Sequence, residues 1–185
     1  FAQAKVSPKR IVFAEGEDDR VLRAVQVVCD EGIAKPLLIG RPSEIAERIE
    51  ASGLRIREGV DYEVIYADGC EFFDRHFDEF WQTYHRIMER KGVSPNYARR
   101  EIGRRATLYG ALMVQLGYAD GLICGTFGRH ETHRQYVENV IGTQHGLDRY
   151  YTMNLLMLPG RTVFIADTYV NYDPTAEQLA DMTLL

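Results

Sequence analysis

The densest set of side chains able to do chemistry is one decapeptide, Gly125-Thr126-Phe127-Gly128-Arg129-His130-Glu131-Thr132-His133-Arg134. It follows a short apolar run and precedes a helical pattern, so it reads as a loop at the carboxyl end of a strand. Ligands favour that position in open α/β sheets. Free helix amides, with Arg129, Arg134, Thr126 and Thr132, could receive a phosphate or carboxylate group. A surface loop with solvated charges explains the same residues equally well. The glycines match neither a GxGxxG fingerprint nor a P-loop, because no Lys-Ser/Thr pair follows them. His130 and His133 have the spacing of one helix face. No third ligand stands at a recognisable distance, and a polar role is expected rather than a metal site. His76, His85 and His145 are scattered and read as structural or exposed.

Further candidates surround this loop in sequence. Glu15-Gly16-Glu17-Asp18-Asp19-Arg20 closes the first strand and faces the same sheet edge. Its carboxylates also suit a helix dipole, whereas Arg20 could neutralise an anionic ligand. Arg99, Arg100, Arg104 and Arg105 form two pairs on one helix, open to a phosphate-rich ligand or an acidic partner, though a solvated face is the simpler expectation. Phe73, Phe77, Phe80 and Tyr84, with Trp81 beside them, make an aromatic stripe expected to face the core or a subunit interface. Asp167, Thr168 and Asn171 follow a late strand, where Asn171 and Asp173 also fit a turn. No Ser-His-Asp order, nucleophile elbow or close carboxylate pair is present.

The elements that must position these groups alternate. Apolar runs at 11–14, 37–39, 62–66 and 121–124 read as strands. Helical periodicity covers 18–32, 43–53 (with Ser43 as cap), 71–90, 94–117 and 132–141. This spacing predicts parallel βαβ units in an α/β fold. Runs at 155–158 and 163–166 flank Pro159-Gly160 and predict an antiparallel hairpin. Asp173-Pro174 then opens a helix carrying Ala176, Leu179, Met182 and Leu185 on one side. The change of pattern divides the chain into 1–145 and 146–185. Composition narrows the class: 185 residues, 45% hydrophobic, 26% charged, net charge −5 and three separated cysteines. Disorder, disulfide scaffolds and broad nucleic-acid binding do not fit, and the thiols are expected in a reducing cytoplasm. The chain opens on Phe1 and stops in mid-pattern at Leu184-Leu185, so it is expected to be part of a longer polypeptide.

Three stretches carry a resemblance. Lys9-Arg10-Ile11-Val12-Phe13-Ala14-Glu15-Gly16-Glu17-Asp18-Asp19-Arg20-Val21-Leu22-Arg23-Ala24 resembles the opening strand and helix of phosphotransacetylases. Ala119-Asp120-Gly121-Leu122-Ile123-Cys124-Gly125 resembles a later strand of theirs. Phe164-Ile165-Ala166-Asp167-Thr168, with Val170-Asn171 and Pro174-Thr175-Ala176-Glu177-Gln178-Leu179-Ala180, resembles a third segment. Phe127-Gly128-Arg129 and Thr168-Tyr169-Val170-Asn171 are more similar to the phosphotransacetylase-like domain of the long bacterial NADP-dependent malic enzymes.

The resemblance implies a three-layer αβα sandwich followed by the start of a second α/β subdomain, with a cleft for coenzyme A thioesters. It implies acetyl-CoA or another acyl-CoA as ligand, and a cleft contributed by Arg20, Gly125, Thr126, Arg129 and His130, with Thr132, Arg134, Asp167 and Asn171. Two arginines of active relatives fall at Met88 and Gln135, with Arg86, Arg90 and Arg134 nearby. The family's serine-arginine-aspartate group is expected beyond Leu185, so no catalytic residue is assigned. Regulation of a malic enzyme is the leading expectation, with NADP and a divalent metal confined to its separate catalytic domain. Active phosphate acetyltransfer and ligand-free oligomer assembly are the alternatives. A homo-oligomer is expected, without nucleic-acid or membrane partners.

Overall fold

Apolar pairs along short strands decide the layering. In the computed structural model, β1 (Lys9–Phe13), β2 (Ala34–Ile39), β3 (Glu63–Ile65) and β4 (Gly121–Ile123) form a parallel sheet ordered β3-β2-β1-β4. The structure describes every residue except Phe1, Asp68, 144–146, Asp148, Tyr169 and Leu185. Successive strand side chains point to opposite faces. Val12, Leu37 and Ile65 therefore join one apolar cluster, and Phe13, Leu38 and Val64 join another. Helices α2 (Asp19–Glu31) and α3 (Pro42–Ala51) cover the second cluster through Val21, Leu22, Val25, Ile45 and Ile49. Helices α4 (Glu71–Met88), α5 (Pro95–Ile102) and α6 (Ala106–Gln115) cover the first. The result is the expected three-layer αβα sandwich. A short α1 (Ala2–Val6) precedes β1, and α7 (His130–Val140) follows β4.

Pro36 lies inside β2, where a missing N–H would normally break a ladder. Pairing of β2 with β3 begins only at Leu37, so Pro36 falls outside that ladder. The aromatic stripe is core: Phe73, Phe80 and Tyr84 are buried, and the rings of Phe73 and Phe80 lie 5.1 and 4.7 Å from that of Tyr109 on α6. Trp81 lies at its edge, with the Arg99 guanidinium 4.0 Å from the ring centre.

Local expectations needed three corrections. The helix predicted over 94–117 is two helices, broken at residues 103–105. The Arg104 and Arg105 amides both return to the Glu101 carbonyl, at 3.0 Å each, ending α5. Beyond the break, α6 is buried from Thr107 through Met113 and carries no polar face. Arg41, not Ser43, is the N-cap of α3, because Pro42 suits the first helical position and Glu17 Oε1 accepts the Arg41 N–H at 2.8 Å. At the last helix, α8 (Ala176–Leu184), the capping pair is Thr175 and Gln178 rather than Asp173-Pro174. Thr175 N–H donates to Gln178 Oε1 at 2.8 Å, and Gln178 N–H donates to Thr175 Oγ1 at 3.3 Å.

The chain divides into two units, Phe1–Gly142 and Thr143–Leu185. Within the second, β5 (Met153–Leu158) and β6 (Arg161–Ala166) pair antiparallel around Gly160, and α8 lies against β6. Met182 is buried, whereas Leu155, Met157 and Phe164 of the hairpin are exposed. His145 and the expected apolar position Leu185 lie outside the described residues.

The turn after β1 has no room for a side chain at Gly16. Its amide donates to Ile39 O at 3.0 Å, and a Cβ there would meet Ile39 O at 2.8 Å and Leu38 Cβ at 2.9 Å. Backbone cannot yield as a side-chain tip can. G16A is expected to cost ~1–3 kcal/mol, seen as a lowered urea midpoint with an unchanged slope.

Candidate functional site

The chain winds from β1 outward to β2 and β3, then returns to the other side of β1 as β4. The carboxyl ends of β1 and β4 thus border a topological switch point. Glu15 leaves β1 there and is almost fully buried. Its carboxylate accepts the Gly125 N–H at 3.0 Å and the Thr126 hydroxyl at 3.4 Å. Gly125 adopts φ +93°, a left-handed conformation natural to glycine, as its amide turns toward that carboxylate.

His133 extends the network. Its Nε2 lies 2.9 Å from the Phe127 carbonyl, which can only accept, so Nε2 carries the proton. Nδ1 lies 2.7 Å from Thr107 Oγ1, a hydroxyl that can donate or accept there, and stands 3.8 Å from Glu15 Oε1. Burial, then the Glu15 carboxylate, push the Cys124 thiol up, against a hydrogen bond with Thr107 that lowers it. A thiol held protonated is a poor nucleophile.

Arg20 closes this loop from outside. Its guanidinium holds both Asp18 oxygens, at 3.0 and 2.9 Å, and donates to the Thr126 carbonyl at 3.0 Å. Of the residues expected in the cleft, the structure therefore brings Arg20, Gly125 and Thr126 together. Arg129, His130, Thr132 and Arg134 follow at the start of α7, the first three exposed. Arg129 pairs with Glu131 at 3.4 Å and Arg134 with Glu138 at 2.6 Å. Asp167 and Asn171 belong to the second unit, where Asn171 Nδ2 donates to Asp167 Oδ1 and to the Tyr150 carbonyl, both at 2.8 Å. Among the described residues, no group of three His, Cys, Asp or Glu side chains is arranged to hold a metal ion.

A cavity of about 630 Å³ opens at the same sheet edge, beyond the ends of β1, β2 and β3 and against the start of α6. Ile39, Ile65, Phe73 and Ile102 form its apolar wall, and Glu15, Glu17 and Asp18 contribute carboxylates. Arg41, Arg48, Arg104 and Arg105 also line it. Arg41 is held by Glu17 at 3.0 Å, Arg48 by Asp19 at 3.1 Å and Arg105 by Glu101 at 3.3 Å. No carboxylate among the described residues stands within 4 Å of Arg104. Sequence reasoning passed over Glu15, Thr107 and Tyr109 as site residues. The first stands at the end of a strand, next to carboxylates at 17–19 that suit a helix dipole, and the other two fall inside the helix expected over 94–117.

A parallel sheet with helices on both faces and polar loops at its switch point defines an α/β protein of the doubly wound type. The chain belongs to the phosphate acetyl/butaryl transferase family, whose model matches residues 1–185. It is 46% identical over 185 residues to the NADP-dependent malic enzyme of Escherichia coli and 43% identical over 186 residues to an NAD-dependent malic enzyme of Rhizobium meliloti. Each alignment takes in 100% of this chain but 24% of the relative, so the chain spans about a quarter of those enzymes. A phosphate acetyltransferase of Nitratidesulfovibrio vulgaris is 30% identical over 182 residues, 98% of this chain and 25% of its own length. In fold, the chain is similar to the EutD phosphotransacetylase from Staphylococcus aureus, with TM-score 0.80 and 21% identity over 98% of this chain and 52% of that one.

The Arg20 side chain, ahead of burial and the remaining hydrogen bonds, holds the Asp18 carboxyl at about 2, below its ordinary 3.8. A carboxyl depressed on folding stabilises the native state fully above the unfolded value, and that contribution disappears as pH falls through the folded value. Wild-type stability should therefore drop between about pH 4 and pH 2. In D18N that component of the drop should be missing from urea titrations across the same range.

Proposed function

We propose that this chain is an acyl-CoA-binding regulatory domain of a malic enzyme. It binds acetyl-CoA without transferring the acetyl group and passes its occupancy through subunit contacts. The catalytic portion elsewhere in the polypeptide would oxidatively decarboxylate malate to pyruvate with NADP and a divalent metal. The observation that carries this reading is the pattern of identity: 46% and 43% to malic enzymes across the whole chain, against 30% to a phosphate acetyltransferase. Among the described residues no helix is long and apolar enough to cross a membrane. A cytoplasmic homo-oligomer without nucleic-acid partners is part of the same proposal.

Two positions favour binding over acyl transfer. The resemblance sets Met88 and Gln135 where active relatives place arginines. Met88 is buried within the cluster shared by α4, α5 and α6, a place unsuited to an unpaired guanidinium. The neighbouring Arg86 and Arg90 are exposed. An arginine clamp on acetyl phosphate, needed to stabilise charge during thiolate attack, has no equivalent at that position.

Acetyl-CoA should raise the melting temperature of the chain, since a ligand at 100 times its dissociation constant adds about 2.7 kcal/mol. R20A should weaken that shift by freeing the Thr126 carbonyl and the loop behind it. In a polypeptide extended past Leu185, where the family's serine-arginine-aspartate group is expected, no acetyl-CoA should form from acetyl phosphate and coenzyme A. Turnover in that assay would establish the acetyltransferase instead, and absence of any thermal shift would leave assembly as the domain's role.

A further inference from the structure

The opposite, amino-terminal edge of the same sheet holds a second cavity, of about 520 Å³. Its origin lies in unequal strands. Pairing of β3 with β2 begins only at Leu37, so Lys35-Pro36 of β2 has no strand beside it on that side. The notch left there is walled by residues 59–62 and, from the helical layer, by Phe72 of α4, Met113 of α6 and Tyr118 beyond it. The volume falls within the roughly 300–1,000 Å³ usual for small-molecule sites.

Strand alternation sets the charges along this cavity. Val12, Leu37 and Ile65 face the cluster under α4, α5 and α6, so Arg10, Lys35 and Glu63, each two residues earlier, share that face. Arg10 and Lys35 stand directly opposite each other in register. Like charges so placed cost stability unless a counter-charge meets them. Arg10 has its own, because its Nε donates to Asp120 Oδ2 at 3.4 Å and its Nη2 to the Gly117 carbonyl at 2.8 Å. Lys35 has none. Its side chain and that of Glu63 are exposed, line the cavity and carry opposite charges, yet neither has an ion-pair or hydrogen-bond partner among the described residues. The Tyr118 hydroxyl already donates to Glu79 Oε2 at 2.7 Å, and its ring meets Phe72 edge-on with centres 5.3 Å apart. An aromatic wall thus stands beside a separate cation and anion, both unpaired.

We propose that this cavity is a site for a free α-amino acid with an apolar side chain. The carboxylate meets Lys35, the ammonium meets Glu63, and the side chain lies against Phe72 and Tyr118. Each part of the ligand answers one part of the wall. A simple carboxylate would leave Glu63 unpaired, an amine would leave Lys35 unpaired, and glycine would leave the aromatic wall in water. Binding involves no covalent step. The site stands at the sheet edge opposite the loop after β4, so it is independent of the acyl-CoA reading and gives the domain a second effector.

The test is a calorimetric titration of the chain with L-phenylalanine, 3-phenylpropionate, phenethylamine and glycine. L-Phenylalanine should bind saturably, and the other three each more weakly. K35Q should weaken L-phenylalanine about five- to tenfold and leave phenethylamine unaffected. E63Q should weaken it by a similar factor and leave 3-phenylpropionate unaffected. Both variants remove an exposed, unpaired charge, so their melting temperatures should match wild type. R20A, at the other sheet edge, should bind L-phenylalanine as wild type does. Absence of binding at millimolar concentration, wild-type affinity in both K35Q and E63Q, or a singly charged analogue binding as tightly as L-phenylalanine would each overturn the assignment. Loss of L-phenylalanine binding in R20A would overturn it too. L-Phenylalanine binding weakened in K35Q and E63Q, with no acetyl-CoA binding at all, would sink the acyl-CoA reading and keep this one.

Discussion

One buried carboxylate organises the sheet edge at which the loop after β4 meets the turn after β1. A charged group removed from water is costly unless donors replace the lost hydration. Glu15 is that group, and its donors, Gly125 N–H and Thr126 O–H, come from 110 and 111 residues away in sequence. The requirement fixes the loop after β4 relative to the turn after β1. Gly125 rotates into the left-handed region and Arg20 fastens the outer side through the Thr126 carbonyl. His133 joins the loop to α6 through Phe127 and Thr107. The resulting surface is a pre-set arrangement of backbone rather than a free loop. That is what recognition of a small anion at a switch point needs, because ordering the loop at the moment of binding would weaken affinity.

Much of the first unit was legible because its signals are local. Three apolar runs, helical periodicities between them and glycine stops specify parallel βαβ units without any long-range knowledge. The two faces of the sheet follow from strand alternation alone: Val12 and Leu37 one way, Phe13 and Leu38 the other. The elements misread were those set by distant partners. A pattern rich in apolar residues from 94 to 117 has the period of one helix. Only in three dimensions does α6 turn away, so that it is buried on all sides. The start of α3 likewise depends on Glu17, 24 residues upstream, accepting the Arg41 amide. A cap supplied across the fold leaves no trace at the residue it caps.

The site divides along the same line. Its loop was visible as a concentration of Gly, Arg, His and Thr, a compositional signal. Its organising member was not, since Glu15 lies among acidic residues that a helix dipole already explains. Nor is the electrostatics of the loop what its sequence advertises. Arg129 and Arg134 look free in a linear reading, yet each faces a carboxylate two or four residues along. Exposed pairs of this kind contribute little to stability, but they lower the local positive potential. Arg104, in a break that periodicity did not reveal, is the guanidinium lining the cavity without such a partner among the described residues.

The distribution of charge and burial also bears on whether such a domain binds or reacts. Transfer chemistry needs donors aimed at charge that develops during reaction, together with a nucleophile or base at workable pKa. Here the thiol at the switch point is pushed up by burial and by Glu15, and the imidazole beside it is committed on both nitrogens, to Phe127 and Thr107. Nε2 holds the Phe127 carbonyl, while Nδ1 faces a hydroxyl that can donate or accept. Binding asks for less: backbone amides and arginines at a sheet edge need no free base to hold an anion.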